Sequence, residues 1–210
     1  MFIGVAGLIG AGKSTLTTNL AEHLGYTPMY EPVEDNPYLV DFYDDIPRWT
    51  FPMQMHLLSR RFRQHQEVIW WGRRQGGVVQ DRTIYEDTLF AAMHFRDGMM
   101  DRRDYDTYIS LFQDMQNFLR YPDAILYLRI DPELADQRIK ARSRSMEREI
   151  PLSYLRGLHE QYEAFAEEMA RYTVLVPLDW STYLPTEEVA AVLQAALQRD
   201  DSKVKSLRRI

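Results

Sequence analysis

The sequence predicts a three-layer α/β protein in which a five-stranded parallel sheet is flanked by helices. Three observations support this fold class. Apolar runs of strand length recur along the 210-residue chain, longer stretches with helical periodicity separate them, and a glycine-rich turn follows the first run. Parallel strands need long crossover connections, so this alternation predicts parallel pairing. Ligands are then expected beyond the carboxyl ends of the strands.

The predicted elements alternate in chain order. Buried strands are expected at Phe2–Ala6, Gly77–Gln80, Ala124–Ile130 and Val174–Leu178, with a shorter strand at Thr27–Tyr30. The helices between them include Ser14–Leu24, Pro52–Trp71, Tyr105–Leu119, Glu133–Ser145 and Ser153–Arg171. One domain is expected to span residues 1–210, with a charged and frayed tail at about 198–210.

Composition narrows the functional classes. The chain is 45% hydrophobic and 27% charged, which is typical of a soluble globular protein. Its net charge of −6 argues against binding nucleic acid or a membrane through bulk charge. No cysteine is present, so disulfides and thiolate metal sites are excluded. No apolar run reaches the roughly 18 residues of a membrane span, and the N-terminus lacks signal-peptide features, so the predicted location is the cytoplasm.

A glycine-rich loop carries the strongest functional signal. It matches G-x-x-x-x-G-K-[ST], lies between a predicted strand and a predicted helix, and consists of Gly7, Leu8, Ile9, Gly10, Ala11, Gly12, Lys13, Ser14 and Thr15. In such a P-loop, backbone N–H groups and the helix N-terminus bind the phosphates of ATP. Lys13 can reach the outer phosphates, and the Ser14 hydroxyl can ligate Mg²⁺.

The P-loop alone does not identify the acceptor, and it also permits a switch GTPase or another NTP-driven binding protein. The guanine-reading N-K-x-D run is absent from the sequence, and 210 residues are few for a motor or an assembly ATPase. Both observations favour a small-molecule kinase.

Charged residues follow two of the predicted strands. Glu31 comes after the second, and Asp81 and Arg82 come after the third, so all three are expected at the same edge of the sheet as the loop. A kinase acting on an alcohol needs a carboxylate to take the hydroxyl proton, an acid near Mg²⁺ and a cation for the developing charge. Either carboxylate alone could equally cap a helix or turn. Together with the loop, they favour catalysis.

An arginine-rich segment contains Arg138, Arg142 and Arg144. Arg138 and Arg142 are neighbours on one helix face, where like charges repel unless an anion such as a triphosphate binds. The alternative is a solvated face paired with nearby acids, and spacing alone slightly favours that alternative.

Taken in order, these motifs resemble the deoxynucleoside kinase family, from Ile3 to about Trp180. Each motif is weak alone, but their order is specific. The motifs are Gly7–Thr15, Glu31-Pro-Val, Tyr43 before Pro47-Arg-Trp-Thr-Phe, Gln54 to Arg61, Asp81-Arg-Thr-Ile-Tyr-Glu-Asp87, Arg138 to Glu147, and Ile150-Pro-Leu-Ser-Tyr-Leu155. The run from Glu31 to Leu39 is similar to the bacterial branch.

The resemblance implies a role for each matching residue. Glu31 would be the general base, Arg82 would bridge it to the phosphate, and Asp81 would help to hold Mg²⁺. For the acceptor, the implied binding residues are Tyr43 and Glu147 at the 3′-hydroxyl, Gln54 at the base edge, and Arg61 paired with Asp87 near the base. For the donor, Arg138, Arg142 and Arg144 would form a lid, and Asp179 would begin the adenine-contacting loop.

The implied reaction is ATP-dependent phosphorylation of the 5′-hydroxyl of a deoxynucleoside, with Mg²⁺ as cofactor, by a homodimer. Deoxyadenosine or deoxyguanosine is favoured over deoxycytidine, and strict thymidine specificity is not expected. The stretch Thr88–Ala91 departs from the animal enzymes, which puts Phe90 in doubt as a base-stacking residue. The alternatives are a nucleoside monophosphate kinase and a noncatalytic NTP-binding regulator.

Overall fold

A parallel five-stranded sheet forms the centre of the computed structural model, which describes residues 1–31, 36–74, 76–141 and 150–199. The strands are β1 (Phe2–Gly7), β2 (Thr27–Met29), β3 (Val78–Asp81), β4 (Ala124–Arg129) and β5 (Val174–Asp179). Their order is β2-β3-β1-β4-β5, and every neighbouring pair is parallel. The predicted fold class is confirmed.

Helices connect and cover the strands. They are α1 (Lys13–Leu24), α2 (Leu39–Asp44), α3 (Ile46–Arg74), α4 (Asp87–Arg96), α5 (Arg102–Gln116), α6 (Pro132–Ala141), α7 (Leu152–Met169) and α8 (Thr186–Arg199). Helices α1 and α8 pack against each other, whereas α4 packs against α3, α5 and α7. Nowhere in the described ranges is a helix both long and apolar enough to cross a bilayer.

The core lies around β1 and β4, whose apolar residues form continuous runs rather than alternating with polar ones. All six residues of β1 are buried, and Val5, Ile125 and Leu126 have no exposed surface. A strand buried on both faces is expected where helices cover both sides of a parallel sheet. The centre of the sheet is therefore a rigid base for the residues that follow its strands.

Two boundaries differ from the predicted ones in ways that affect the site. Strand β3 includes Asp81, because its register pairs Asp81 with Val5 of β1. Helix α3 begins at Ile46 and contains Pro52, where the prediction began the helix. A proline inside a helix removes one N–H donor and crowds the carbonyl four residues earlier, yet helical turns are present on both sides of Pro52. Helix α3 therefore begins six residues earlier than predicted, which is about one and two-thirds turns. Helices α2, α4 and α8 add to those predicted.

Candidate active site

The glycine-rich loop is a tight turn between β1 and α1. Gly10 and Gly12 have φ values of 84° and 90°, in the left-handed region that glycine adopts without strain. A Cβ atom at Gly10 would lie 2.8 Å from the carbonyl oxygen of Ala135. Glycine at this position therefore allows α6 to approach the loop, and Gly12 turns the chain into the first turn of α1.

Lys13 is buried at the start of α1, with 7% of its surface exposed. Its Nζ donates hydrogen bonds to the carbonyl oxygens of Gly7 and Leu8, both at 2.9 Å. Burial, followed by the nearby cation of Arg82, lowers the pKa of Lys13 to about 8. The amine is mainly cationic at neutral pH, and an arriving anion can replace the two carbonyl groups.

Ser14 and Asp81 form the oxygen-rich part of the site. The Ser14 hydroxyl donates to Asp81 Oδ2 at 2.5 Å, and the buried Asp81 Oδ1 has no hydrogen-bond partner in the described ranges. A hydroxyl and a carboxylate are ligands that suit Mg²⁺. Among the described residues, no cluster of three or more His, Cys, Asp or Glu could hold a metal ion. The remaining ligands here would be phosphate oxygens and water.

Arg82 follows β3 directly and is bonded both to β1 and to Glu31, two residues after β2. Its φ of 60° is the only positive value at a described residue other than glycine, and such strain is often found at functional positions. The backbone N–H of Arg82 donates to the Val5 carbonyl at 3.1 Å. Its side-chain Nε donates to Glu31 Oε2 at 3.0 Å. The strained backbone thus directs a buried guanidinium toward Glu31.

Glu31 receives a second guanidinium from α3, because Arg61 Nη2 donates to Glu31 Oε1. Burial alone would favour the protonated acid. The cations of Arg82, Arg61 and Lys13 outweigh burial and lower the pKa of Glu31 to about 2. The side chain keeps 17% of its surface exposed. Glu31 is therefore an ionised carboxylate that a small molecule can reach.

Three polar side chains form a second cluster along α3 and the start of α4. Arg61 Nη1 forms an ion pair with Asp87 Oδ1, and both residues are buried. Gln54 lies seven residues before Arg61, on the same face of α3, and is 2% exposed. Within the described ranges, Gln54 Oε1 and Asp87 Oδ2 have no hydrogen-bond partner. Buried acceptors of this kind are candidates for ligand contact.

Arg138 on α6 reaches the segment after β5. Its Nη2 donates to the carbonyl oxygens of Trp180 and Ser181 at 2.9 and 3.0 Å, and its guanidinium lies 4.3 Å from the centre of the Tyr183 ring. A Cβ atom at Gly12 would lie 3.2 Å from Tyr183, so this segment borders the glycine-rich loop. Exposed Asp179 accepts a hydrogen bond from the Ser181 N–H at 3.0 Å, which lowers the pKa of Asp179.

Comparison with known families agrees with this geometry, because the family model for deoxynucleoside kinases matches residues 3–193. The chain belongs to the deoxynucleoside kinase family. It is therefore an enzyme, a phosphotransferase of the class predicted from the ordered motifs.

Relatives of this deoxynucleoside kinase cover most of its length. It is 44% identical to a deoxyadenosine kinase of Dictyostelium discoideum, over 92% of this chain and 78% of that one. It is 45% identical to a deoxyadenosine/deoxycytidine kinase of Bacillus subtilis, over 77% of this chain and 74% of the relative. A solved deoxyadenosine kinase from M. mycoides with bound dATP superposes with a TM-score of 0.82. The two chains are 31% identical, and the match covers 92% of this chain and 99% of that structure.

Several of the predicted site residues of the kinase are in direct contact with one another. Direct contacts connect Ser14 with Asp81, Glu31 with Arg82 and Arg61, and Arg61 with Asp87. Tyr43 lies on α2, with its ring 5.3 Å from that of Phe42. Burial, followed by the nearby Tyr43, raises the pKa of Tyr154 on α7. The predicted roles of Arg142, Arg144 and Glu147 concern residues that lie outside the described ranges.

Two residues with no predicted role complete the surroundings of Arg82. Tyr162 on α7 accepts a hydrogen bond from Arg82 Nη1 at 2.7 Å and donates one to Glu86 Oε2 at 2.8 Å. Neither residue has any exposed surface. Glu86 lies within the motif from Asp81 to Asp87, so a role for it at the site could have been predicted from that motif. Tyr162 is 80 residues from Arg82 in sequence, and no local pattern connects the two.

Proposed function

We propose that this kinase transfers the γ-phosphoryl group of ATP to the 5′-hydroxyl of a deoxynucleoside, with deoxyadenosine as the preferred acceptor. One observation carries the proposal. The ionised carboxylate of Glu31 and the buried amine of Lys13 lie close enough for each charge to shift the pKa of the other, and Arg82 donates a hydrogen bond to Glu31. A base for an alcohol and a cation for a triphosphate therefore share one site.

In the proposed reaction, the loop from Gly7 to Thr15 binds the triphosphate through its backbone N–H groups. Lys13 exchanges the carbonyl groups of Gly7 and Leu8 for phosphate oxygens. Ser14 and Asp81 would hold Mg²⁺, which when bound neutralises phosphate charge and orients the phosphates. These residues fix the donor, whose phosphoryl group then needs only an aligned nucleophile.

Glu31 accepts the proton of the 5′-hydroxyl as that oxygen attacks the γ-phosphorus and the bond to the leaving ADP oxygen breaks. The acceptor hydroxyl replaces one of the two guanidinium contacts of Glu31. Arg61 is the contact that can be released, because Asp87 remains as its partner. Loss of one cation raises the pKa of Glu31 and makes it a better base. Arg82 stays to stabilise the charge that develops on the phosphoryl oxygens.

The unpartnered acceptors on α3 and α4 support the choice of base. Gln54 Oε1 and Asp87 Oδ2 both need N–H donors. The exocyclic amino group of adenine, cytosine or guanine carries two N–H bonds and can serve both acceptors, whereas thymine has no amino group and offers a single N–H, at N3. Relatives with 44% and 45% identity carry the names deoxyadenosine kinase and deoxyadenosine/deoxycytidine kinase. We therefore rank deoxyadenosine first and deoxycytidine second.

Further parts of the proposal concern the enzyme as a whole. Asp179 would lie beside the adenine of ATP, Arg138 would belong to the lid over the phosphates, and Tyr43 would contact the sugar. Four further features stay predictions, namely the arginine lid, a single domain over residues 1–210, a homodimer and a cytoplasmic location. Sedimentation of the purified chain would test the dimer directly.

A substrate panel tests the proposed function. The purified protein is incubated with ATP, Mg²⁺ and each of the four deoxynucleosides, and the products are separated and counted. We expect a 5′-monophosphate from deoxyadenosine with the highest kcat/KM, and little or none from thymidine. Product from deoxynucleoside monophosphates alone would instead indicate a monophosphate kinase. ATP binding without product on any acceptor would indicate a noncatalytic regulator.

A further inference from the structure

The guanidinium of Arg82 is held on three sides. Nε donates to Glu31, Nη1 donates to the Tyr162 hydroxyl, and the Phe90 ring lies against the guanidinium plane with 4.8 Å between Cζ and the ring centre. Nη2 has no hydrogen bond to any described residue. Because a guanidinium is planar, these contacts determine the direction in which the Nη2 edge points.

The contact at Nη1 belongs to a buried chain of three groups. Arg82 donates to the Tyr162 oxygen at 2.7 Å, and the Tyr162 hydroxyl donates to Glu86 Oε2 at 2.8 Å. Glu86 Oε1 accepts the backbone N–H of Thr83 at 2.8 Å, in a capping box at the 3₁₀ turn Ile84–Glu86. The carboxylate is therefore anchored in the turn that directly follows Arg82.

Tyr162 stands between two charges that do not touch. Arg82 Nη1 and Glu86 Oε2 are 4.0 Å apart, beyond hydrogen-bond distance. A direct bidentate contact would bind the guanidinium edge to Glu86. The intervening hydroxyl instead accepts one N–H of Arg82 and donates its own proton to Glu86, so the two hydrogen bonds polarise each other. Burial raises the pKa of Glu86, and the cations of Arg82 and Lys13 offset part of this rise. Arg82 keeps its second edge free while its orientation stays fixed.

We propose that Tyr162 and Glu86 are positioning residues that hold Arg82 with its Nη2 edge directed at the phosphoryl group in transit. This inference rests on the proposed function, in which Arg82 stabilises charge on that group. The nearby Arg82 cation also lowers the pKa of Lys13, so the guanidinium lies next to the phosphate-binding lysine. Tyr162 on α7 and Glu86 in the 3₁₀ turn thus hold the Arg82 cation, which directly follows β3, in position for the transition state.

The substitution Tyr162→Phe removes one hydroxyl and keeps the ring. The control is Tyr127→Phe. It removes the hydrogen bond that another buried tyrosine hydroxyl donates to Glu163 on α7, at 2.9 Å. Tyr127 lies beside Tyr162, with ring centres 6.0 Å apart, and has no contact with Arg82. The measurements are kcat and the KM values for deoxyadenosine and ATP, together with Tm for both variants.

For Tyr162→Phe we expect kcat to fall about 10- to 100-fold, the usual effect of losing a hydrogen bond to a charged group, while both KM values stay within about twofold. A cation needed only in the transition state affects kcat and kcat/KM equally. Tyr127→Phe should keep kcat within about twofold of the wild type. An unchanged kcat in Tyr162→Phe, a fall shared by Tyr127→Phe, or a loss confined to KM would overturn the inference.

A second variant keeps the test decisive if Tyr162→Phe also lowers Tm. Glu86→Gln retains the shape of the side chain and removes the charge behind the Tyr162 hydroxyl. We expect the double variant Tyr162→Phe/Glu86→Gln to be no slower than the slower single variant, because both act through one contact. If the two losses in kcat were additive in the double variant, Tyr162 and Glu86 would not act through the same contact with Arg82. If the wild-type enzyme phosphorylates no deoxynucleoside, the proposed function itself fails, which is a separate outcome.

Discussion

The two ends of the candidate site differ in what they present to a ligand. The loop end comprises Gly7–Thr15, Asp81 and Arg82. Its buried Lys13 is a donor partnered by backbone carbonyl groups of the loop, and beside it Asp81 has one carboxylate oxygen without a hydrogen-bond partner in the described ranges. The helix end comprises Gln54, Arg61 and Asp87, and within the described ranges it presents buried acceptors without hydrogen-bond partners. Glu31 lies between them, because it is paired with Arg82 at one end and Arg61 at the other.

This difference separates the two halves of the reaction. Donors with exchangeable partners suit an anion, since the anion replaces hydrogen bonds that the free protein already makes. Buried acceptors without partners are costly until a ligand supplies N–H groups, so they discriminate among ligands. The loop end is therefore expected to determine triphosphate binding, and the helix end to determine the choice of nucleoside.

The largest expected effect lies at the junction of the two ends. Glu31→Gln keeps the shape of the side chain and removes the base, so kcat should fall about 10²- to 10⁴-fold. ATP binding, measured by calorimetry, should change little, because the loop end is intact. If Glu31→Gln kept the kcat of the wild type, Glu31, which is paired with both ends of the site, would not be the base.

At the helix end, Gln54→Leu should raise the KM for deoxyadenosine about 10- to 100-fold, because a buried amide contact to the base is lost. The KM for ATP should stay unchanged. Gln66→Leu is the matched control, since Gln66 is an exposed residue of α3 that donates to the Phe118 carbonyl at 3.3 Å. Equal effects of the two variants would show that Gln54 does not select the nucleoside.

At the loop end, the pH dependence reports on Lys13. Its pKa of about 8 means that the free enzyme loses the cation as pH rises through that value. The kcat/KM for ATP, which reports the free enzyme, should fall about tenfold per pH unit above pH 8. In kcat the decline should begin at higher pH, because bound phosphate raises the pKa of Lys13. A flat kcat/KM profile up to pH 9.5 would contradict the assignment.

A smaller effect is expected from Ser14→Ala. Water can replace a neutral hydroxyl ligand, so the Mg²⁺ concentration for half-maximal activity should rise only about 3- to 10-fold. Thr107→Ala, which removes an exposed hydroxyl on α5, is the control. If Ser14→Ala leaves the Mg²⁺ dependence unchanged, the metal is not held through Ser14.

Much of the fold follows from local sequence. The apolar runs that became β1 and β4 were recognisable because strands buried on both faces are continuously hydrophobic. The edge strand β5 was also recognisable as an apolar run, although only alternate residues of it are buried. The extent of α3 was harder to predict, because Pro52 resembles a helix start although the helix begins at Ile46. Strand β3 gains Asp81 through its pairing with Val5, a contact that the local sequence does not encode.

The residues of the candidate site that belong to sequence motifs could be predicted. Those brought to the site only by the packing of distant elements could not. The ion pair of Arg61 with Asp87 followed from the family resemblance, and it is present. Arg61 also reaches Glu31, which the resemblance did not imply. Tyr162 could not be predicted, because its contact with Arg82 joins residues 80 positions apart and arises only in the folded chain. Non-local contacts of this kind have no signature in spacing or periodicity.

A structure of the complex with deoxyadenosine, Mg²⁺ and a non-hydrolysable ATP analogue tests the central claim most directly. We expect the nucleoside 5′-oxygen within about 3.2 Å of a Glu31 carboxylate oxygen, facing the γ-phosphate bound at Lys13. Glu31 still held by both arginines, with the 5′-oxygen elsewhere, would contradict the claim.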